Sequence, residues 1–274
     1  MALPELRERA ALEGVPLSIV AAESLHVILL DALFAHPRSQ GMAFQGGTCL
    51  HLVHGGQRYS EDVDLAGDAL DADAARRIVH GARGEAEKMA VQALGPGDHA
   101  WKVSSRPSRV STYWFHFTPD TWRQRIRVKL EFAHFPVYRP AVLPVRSELD
   151  LLRRQPLVHA LEPPELLAEK VVAVLGRRYL KERDLFDLWY LDVVLRAPLD
   201  PELLAQRVED YGVAVTREKV RQRTELLAEA DLESEMERFL PQRYRAQLGG
   251  DAYRVVRRSA QHVVERVPDA LGLR

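Results

Sequence analysis

One stretch constrains the fold of this chain more than any other: QGGTCLHLVHGGQRYSEDVDLAG, from Gln45 to Gly67. Its first glycine pair predicts a turn, and the residues from Thr48 to His54 predict a helix of about two turns that ends at a second glycine pair. The following SEDVDLAG alternates in polarity and predicts a strand. Because residues two apart on a strand share a face, Asp62 and Asp64 are predicted to point the same way.

The alternating pattern of strands recurs later in the chain, at residues 100–105, 110–118 and 125–134. In the last stretch, RIRVKLEFA, apolar residues occupy every second position, and Glu131 lies on the polar face with Arg127 and Lys129. The short MAFQ before the first glycine pair predicts one more strand. A second carboxylate-bearing strand is therefore predicted to pack beside the one that carries the aspartates.

Helical patterns surround these strands and then replace them. Helices are predicted at residues 17–35, 72–94, 163–180, 183–195, 201–211, 216–238 and 250–266. The sequence therefore predicts an α+β protein, with a mixed sheet and flanking helices in residues 1–150 and a helical domain in residues 151–274. The proline-containing RPAVLPVRSE, Arg139 to Glu148, is predicted to join the two.

The composition excludes several classes of protein. Only Cys49 is present, which excludes a disulfide framework and a cysteine-rich zinc site within the chain and favours a reducing compartment, the cytoplasm. The N-terminus lacks the apolar core of a signal peptide, and polar residues interrupt the most apolar run, from Ile19 to Ala35. Neither export nor membrane insertion is therefore indicated.

Charge is informative only locally, because the net charge of -1 gives no bulk argument for a nucleic-acid partner. Two groups of basic residues stand out: Arg123, Arg125, Arg127 and Lys129, then Arg177, Arg178, Lys181 and Arg183. Either group can be a solvated surface, and either can be a local basic footprint for nucleic-acid phosphates.

The glycine turn and the two aspartates together indicate phosphate chemistry. Two carboxylates on one strand face can hold Mg2+, which prefers oxygen ligands and shares them with substrate phosphates. An isolated Asp-x-Asp pair commonly just faces solvent. A Gly-Gly-Thr turn that opens a helix, however, presents backbone N–H groups to an anion and lets it come close. The sequence therefore places phosphate donors and cation ligands on adjacent parts of one sheet.

The order of these motifs resembles the nucleotidyltransferase superfamily, in which Gly-Gly or Gly-Ser/Thr precedes Asp-x-Asp or Asp-x-Glu. With PPELLAEKVVAVLGRRYLKERDLFDLWYL downstream, the chain resembles more narrowly the AbiEii/MenT-type toxin family, over roughly residues 40 to 195. The resemblance implies a nucleotidyltransferase-like N-terminal domain and a bacterial toxin–antitoxin setting.

The resemblance also implies roles for individual residues. It assigns NTP binding to Gly46, Gly47, Thr48, Arg58, Ser60, Lys129, Lys170 and Arg183. It assigns catalysis to Asp62, Asp64, Glu131, Lys170 and Asp184. The ligands of the metal, two Mg2+ ions with Mn2+ as an alternative, would be Asp62, Asp64 and Glu131. Glu131 departs from the family, which often has Asp as the third acid.

Structural interpretations stand beside these roles. Lys170 can be a surface lysine of a helix, and Arg183 with Asp187 can be a surface pair one helical turn apart. Asp187 can also be a buried packing residue. For His51 and His54, helix packing or surface exposure is favoured over metal binding, because no further soft ligand accompanies them.

By resemblance, the activity is transfer of a nucleoside monophosphate from an NTP to RNA, at the 3′ end of tRNA, which would block translation. A cognate antitoxin is the implied protein partner. Alternatives are transfer to a protein hydroxyl or a small molecule, and a non-catalytic binding module of the same fold. A sugar-nucleotide transferase is a further alternative, because such enzymes use Asp-x-Asp. That function would leave the glycine turn unexplained. Phosphorylation of Ser60 would place negative charge beside the aspartates and block NTP binding.

Overall fold

The computed structural model describes residues 3–104, 109–122, 124–147, 152, 154–248 and 251–273. Contacts divide the chain into a first unit, Met1–Leu161, and a second unit, Glu162–Arg274. The boundary predicted at residues 150–151 lies outside the described residues, as does Arg123 of the first basic group. The first unit extends to Leu161 because its last strand pairs within the sheet.

A seven-stranded mixed sheet forms the centre of the first unit. Its strands are β1 Ala43–Gln45, β2 Asp62–Ala66, β3 Gly97–Val103, β4 Val110–Pro119, β5 Ile126–Ala133, β6 Pro140–Pro144 and β7 Leu157–Leu161. They lie in the order β3-β4-β5-β2-β1-β7-β6. The pairs β2–β5 and β1–β7 are parallel, and the others are antiparallel.

Four α-helices of the first unit flank this sheet: α1 Leu3–Glu13, α2 Leu17–Phe34, α3 Gly46–Leu52 and α4 Ala72–Leu94. A short 3₁₀ helix, Pro37–Gly41, follows α2. Of the described helices, α2 alone is long and apolar enough to cross a membrane by composition, and 78% of it is buried inside the structure, as in a core helix. Its apolar residues form the core of the unit with those of β5, such as Val128 and Leu130.

The described residues of the second unit form helices joined by turns and loops. Its helices are α5 Pro163–Gly176, α6 Glu182–Trp189, α7 Pro201–Asp210, α8 Arg217–Ala228, α9 Leu232–Phe239, α10 Gln242–Leu248, α11 Asp251–Glu265 and α12 Val267–Ala270. A π-helical turn, Tyr190–Val194, continues α6. Proline at the first turn of α5 and α7 suits a helix N-terminus, where its missing N–H has no helical partner.

The α+β architecture predicted from the sequence is confirmed, and two predicted segments are wrong in detail. Residues 140–144 form edge strand β6 rather than a linker, since an edge strand tolerates proline whose missing N–H faces away from the ladder. The single helix predicted at 216–238 is two helices, because Asp231 caps the start of α9 by accepting a hydrogen bond from the Ser234 N–H.

Candidate active site

The first glycine pair joins β1 directly to α3 and leaves no room for side chains. Gly46 has φ +80°, a left-handed conformation that favours glycine. A Cβ on Gly46 would overlap the Asp64 carboxylate, and a Cβ on Gly47 would overlap the Arg58 guanidinium. Both glycines therefore allow charged side chains to lie against the backbone at the N-terminus of α3.

Three polar residues predicted to contact NTP lie around this turn, and one of them, Thr48, joins it to β2. The buried Thr48 hydroxyl donates a hydrogen bond to the Asp62 backbone carbonyl. Arg58 is 3% exposed, and its Nη1 donates to the Tyr59 carbonyl at 3.0 Å. The Ser60 hydroxyl lies 3.1 Å from the position that a Gly47 Cβ would occupy. Thr48 thus fixes the register of the helix start relative to the strand that carries the aspartates.

The parallel pairing of β2 with β5 brings the predicted acids together. Asp62 lies opposite Lys129, and Asp64 lies opposite Glu131. On the other side of β2, Asp64 lies opposite Gln45, the residue before the glycine turn. Directly paired residues share a face of a sheet, so these side chains line one surface.

Lys129 links two of the three acids. Its Nζ lies 2.9 Å from Asp62 Oδ2 and 3.3 Å from Glu131 Oε2. Burial opposes the charge of Lys129, but the hydrogen bond and charge of Asp62, followed by Glu131, outweigh it and raise the lysine pKa. Asp62 and Glu131 are 26% and 33% exposed, so both remain accessible to a ligand.

The donors in this cluster fit a metal site that the substrate completes. Among the residues that the structure describes, no three His, Cys, Asp or Glu side chains are arranged to hold a metal ion by themselves. Mg2+ is usually bound through one or two carboxylates together with substrate phosphates. Asp62 and Asp64, beside a glycine turn suited to phosphate, meet this requirement. The contact of Lys129 with Asp62 and Glu131 shows that a cation is already favoured beside these acids.

A buried polar network behind the site was missed by sequence reasoning. Glu23 of α2 is 2% exposed and pairs with His51 Nε2 at 2.9 Å. His51 Nδ1 contacts the Gly56 carbonyl at 2.6 Å, and the Tyr59 hydroxyl donates to Glu13. These contacts fasten the segment between α3 and β2, which carries Arg58 and Ser60. The only sequence signal was a charged residue inside the apolar run IVAAESLHVILL.

The remaining predicted residues lie in the helical unit. Lys170 Nζ is 3.0 Å from Asp184 Oδ1 and 2.5 Å from Asp187 Oδ2, and Arg177 also pairs with Asp184. Both aspartates are 2% exposed. The Arg183 guanidinium lies over the Phe239 ring, 5.8 Å from its centroid. Lys170 is therefore a buried cation within an ion-pair cluster, and its predicted role in NTP binding stays a prediction.

Comparison with known proteins identifies the family. The model of the nucleotidyl transferase AbiEii toxin family, a type IV toxin–antitoxin system, matches residues 28–255. The chain belongs to this family. A search among curated proteins finds no match. The family assigns this AbiEii protein to the nucleotidyltransferases of toxin–antitoxin systems.

Solved structures share the fold of this AbiEii protein. JHP933 from Helicobacter pylori is 15% identical with a TM-score of 0.56, and the match covers 94% of this chain and 95% of that one. A proposed nucleotidyltransferase from H. pylori is also 15% identical, with a TM-score of 0.54 and coverage of 93% and 96%. At this identity the likeness establishes the fold alone.

Proposed function

We propose that this protein transfers a nucleoside monophosphate from an NTP to the terminal hydroxyl of an RNA, with the 3′ end of tRNA as acceptor and pyrophosphate as the second product. The observation that carries the proposal is the alignment of Gln45, Asp64 and Glu131 across three neighbouring strands, with the Asp64 carboxylate against Gly46. Carboxylates that can hold a metal ion thus lie beside a turn that can accommodate phosphate. Nucleotide transfer requires both.

In the proposed reaction, the RNA hydroxyl oxygen attacks the α-phosphorus of the NTP and forms a new phosphodiester bond. The bond between the α-phosphorus and the oxygen that bridges to the β-phosphate breaks, and the electron pair leaves with pyrophosphate. Glu131, 33% exposed on the surface that holds Asp64, accepts the proton of the attacking hydroxyl. Atoms and charge then balance without another reactant.

The chain's own residues position the phosphates and offset their charge. The backbone N–H groups at the start of α3 face the triphosphate, and Gly46 and Gly47 allow its close approach. Arg58 lies against Gly47 and supplies positive charge there. Asp62 and Asp64 would hold Mg2+, which when bound stabilises negative charge on the transferred phosphoryl group and on pyrophosphate. Lys129 supplies a cation to Asp62 and to Glu131.

The toxin–antitoxin family gives the biological setting of the proposal. Adding a nucleotide to the 3′ end of tRNA blocks the hydroxyl that is aminoacylated, so translation would stop in the cytoplasm of the producing cell. A cognate antitoxin is the protein partner that the family implies. In the proposed function, the helical unit supports NTP binding and catalysis through Lys170, Arg183 and Asp184.

An acceptor assay tests the proposal. The protein is incubated with each labelled NTP and Mg2+, in parallel with total tRNA, with cell protein and with a small-molecule extract. We expect label on tRNA, removable by a 3′ exonuclease, and none when Asp64→Asn replaces the parent. Asp68→Asn, an exposed acid near the end of β2, is the matched control and should label tRNA as the parent does. Label on protein alone would reject the RNA acceptor.

A further inference from the structure

The sheet continues past the catalytic acids as a second polar surface on β3, β4 and β5. Lys129 lies opposite Trp114, which lies opposite Lys102. In the next row, Arg127 lies opposite His116. Paired residues share a face, so one row runs from Asp62 through Lys129 and Trp114 to the sheet edge. We name Lys102, Trp114, His116, Arg125 and Arg127 the outer strand face.

Trp114 is the aromatic centre of the outer strand face. The Arg127 guanidinium lies over its ring, 4.8 Å from the centroid, and Lys129 Nζ lies 5.9 Å from the same centroid. Since Lys129 also pairs with Asp62, one side chain connects the indole to the predicted catalytic acids. A ligand stacked on Trp114 would therefore end beside Asp62.

The outer strand face is positively charged. Lys102, Arg125 and Arg127 are exposed, whereas His116 is buried beneath them. Burial and then the charges of Arg125, Lys102 and Arg127 lower the pKa of His116, which places all three cations close to one point. The three exposed cations supply the positive charge that would attract phosphates.

The order of the strands would let two ligands reach the acids from opposite sides of β2 and β5. Strands β2 and β5 carry Asp62, Asp64 and Glu131, and they lie between β4 on one side and β1 on the other. The glycine turn follows β1, whereas Trp114 belongs to β4. Triphosphate at the glycine turn and a second ligand on the outer strand face can thus reach the acids together.

We propose that the outer strand face binds the single-stranded end of the acceptor RNA, with a base stacked on Trp114 and phosphates at Lys102, Arg125 and Arg127. The inference rests on the proposed function, and it names the surface by which the acceptor reaches the catalytic acids. Aromatic stacking combined with a basic track is the usual means of holding single-stranded nucleic acid. Stacking tolerates any base, so the surface positions the RNA end without reading its sequence.

Binding of a labelled single-stranded RNA of about eight nucleotides, measured by fluorescence anisotropy without NTP or Mg2+, tests the stacking. Trp114→Ala should weaken binding about tenfold, the lower part of the range for loss of one stacked base. Trp114→Phe keeps an aromatic ring and should bind within about threefold of the parent. Circular dichroism of each variant shows whether the fold is kept, and equal affinity of Trp114→Ala and the parent overturns the proposal.

The salt dependence of the same binding tests the charges. The double variant Lys102→Ala with Arg127→Ala should lower the slope of log affinity against log salt by about 1.4, at 0.7 for each lost phosphate contact. Arg77→Ala with Lys88→Ala removes two exposed cations from α4, whose Glu87 contacts Trp101 on the opposite face of β3. This matched control should keep the parent slope, and equal slopes for both double variants overturn the proposal.

Two further outcomes separate this proposal from the proposed function. If the Trp114 and Lys102/Arg127 variants lose affinity for NTP while RNA binding is unchanged, the surface serves the nucleotide and the RNA assignment is overturned. If RNA binding depends on Trp114 but the parent transfers no nucleotide to any RNA, the outer strand face is supported and the transferase activity is rejected.

Discussion

Two acidic clusters in this protein are each neutralised by a lysine, and they differ in burial. On the sheet, Lys129 pairs with Asp62 and Glu131, whose side chains are 26% and 33% exposed. In the helical unit, Lys170 pairs with Asp184 and Asp187, each 2% exposed. Water solvates the first pair of acids, so their lysine can yield to another cation at small cost. The second pair depends on Lys170, with Arg177 as a further partner of Asp184, since an unpaired charge in the interior is strongly destabilising.

The largest expected effect is on the rate of nucleotide transfer, and it follows from replacing the aspartates of β2. Asp62→Asn and Asp64→Asn each remove a negative charge that would hold the metal, which contributes several kcal/mol to charge stabilisation. We expect nucleotide transfer to fall by about a thousandfold or more, while the free energy of unfolding changes by less than about 1 kcal/mol. Single-turnover transfer and urea unfolding measure the two. Full activity of either variant would remove the residue from the site.

Replacing each lysine in turn tests whether burial makes the two clusters differ in their contribution to stability. Lys170→Ala leaves Asp184 and Asp187 buried with less compensation, and the free energy of unfolding should fall by about 3 to 5 kcal/mol. Lys129→Ala removes a pair whose members are 21% to 33% exposed and should cost no more than about 1 kcal/mol. Urea denaturation of the two variants gives both values. Equal losses would show that burial does not separate the clusters.

A smaller effect is expected at the glycine turn. Gly46→Ala forces a Cβ into a left-handed conformation and against the Asp64 carboxylate, which should cost about 1 to 2 kcal/mol of stability and displace a predicted catalytic acid. Gly84→Ala is the matched control, because Gly84 lies inside α4 and a Cβ there meets open space. It should stabilise the protein by about 0.5 to 1 kcal/mol. Thermal unfolding measures the stability of both variants, and the transfer assay measures their activity. Equal stability and equal activity of the two variants would contradict this explanation.

The smallest expected change is in the pH dependence of stability, and it arises from the pairing of His51, 16% exposed, with the buried Glu23. Burial opposes the charge of His51, but its hydrogen bond to Glu23 raises the His51 pKa. A raised pKa means that this pair stabilises the fold fully below about pH 6.5, the unfolded value, and that the contribution is lost as pH rises through the folded pKa. Urea unfolding between pH 6 and pH 9 should show the loss in the parent and not in Glu23→Gln.

Much of the fold followed from local patterns. The alternation in RIRVKLEFA and the glycine pairs predicted the strands and turns near their observed bounds, because burial on one face imposes that period. Strand β6 was missed because two prolines argued for a loop, and the sequence cannot say which strand will lie at an edge. The break before α9 depends on a cap that a continuous helical pattern conceals.

The sequence predicts which site residues lie together only where they share one strand or one motif. The spacing of Asp62 and Asp64 placed them on one strand face, and the alternation of RIRVKLEFA placed Glu131 on a second strand. Family resemblance then gave Glu131 its role. The row from Asp62 to Trp114 depends on the register of three strands, which the one-dimensional pattern leaves open. Likewise, the pairing of Glu23 with His51 joins two helices and has no signature in the residues between them.

The pairing of β2 with β5 and of β1 with β7 has a consequence for synthesis of the toxin. The chain leaves the ribosome from its N-terminus, so the glycine turn and both aspartates emerge long before their partner strands. Pairings between distant segments form only after the later segment is available. A nascent chain thus carries the glycine turn and both aspartates before the predicted site can form. The strands that complete this surface become available only after Glu131 and then Leu161 have left the exit tunnel.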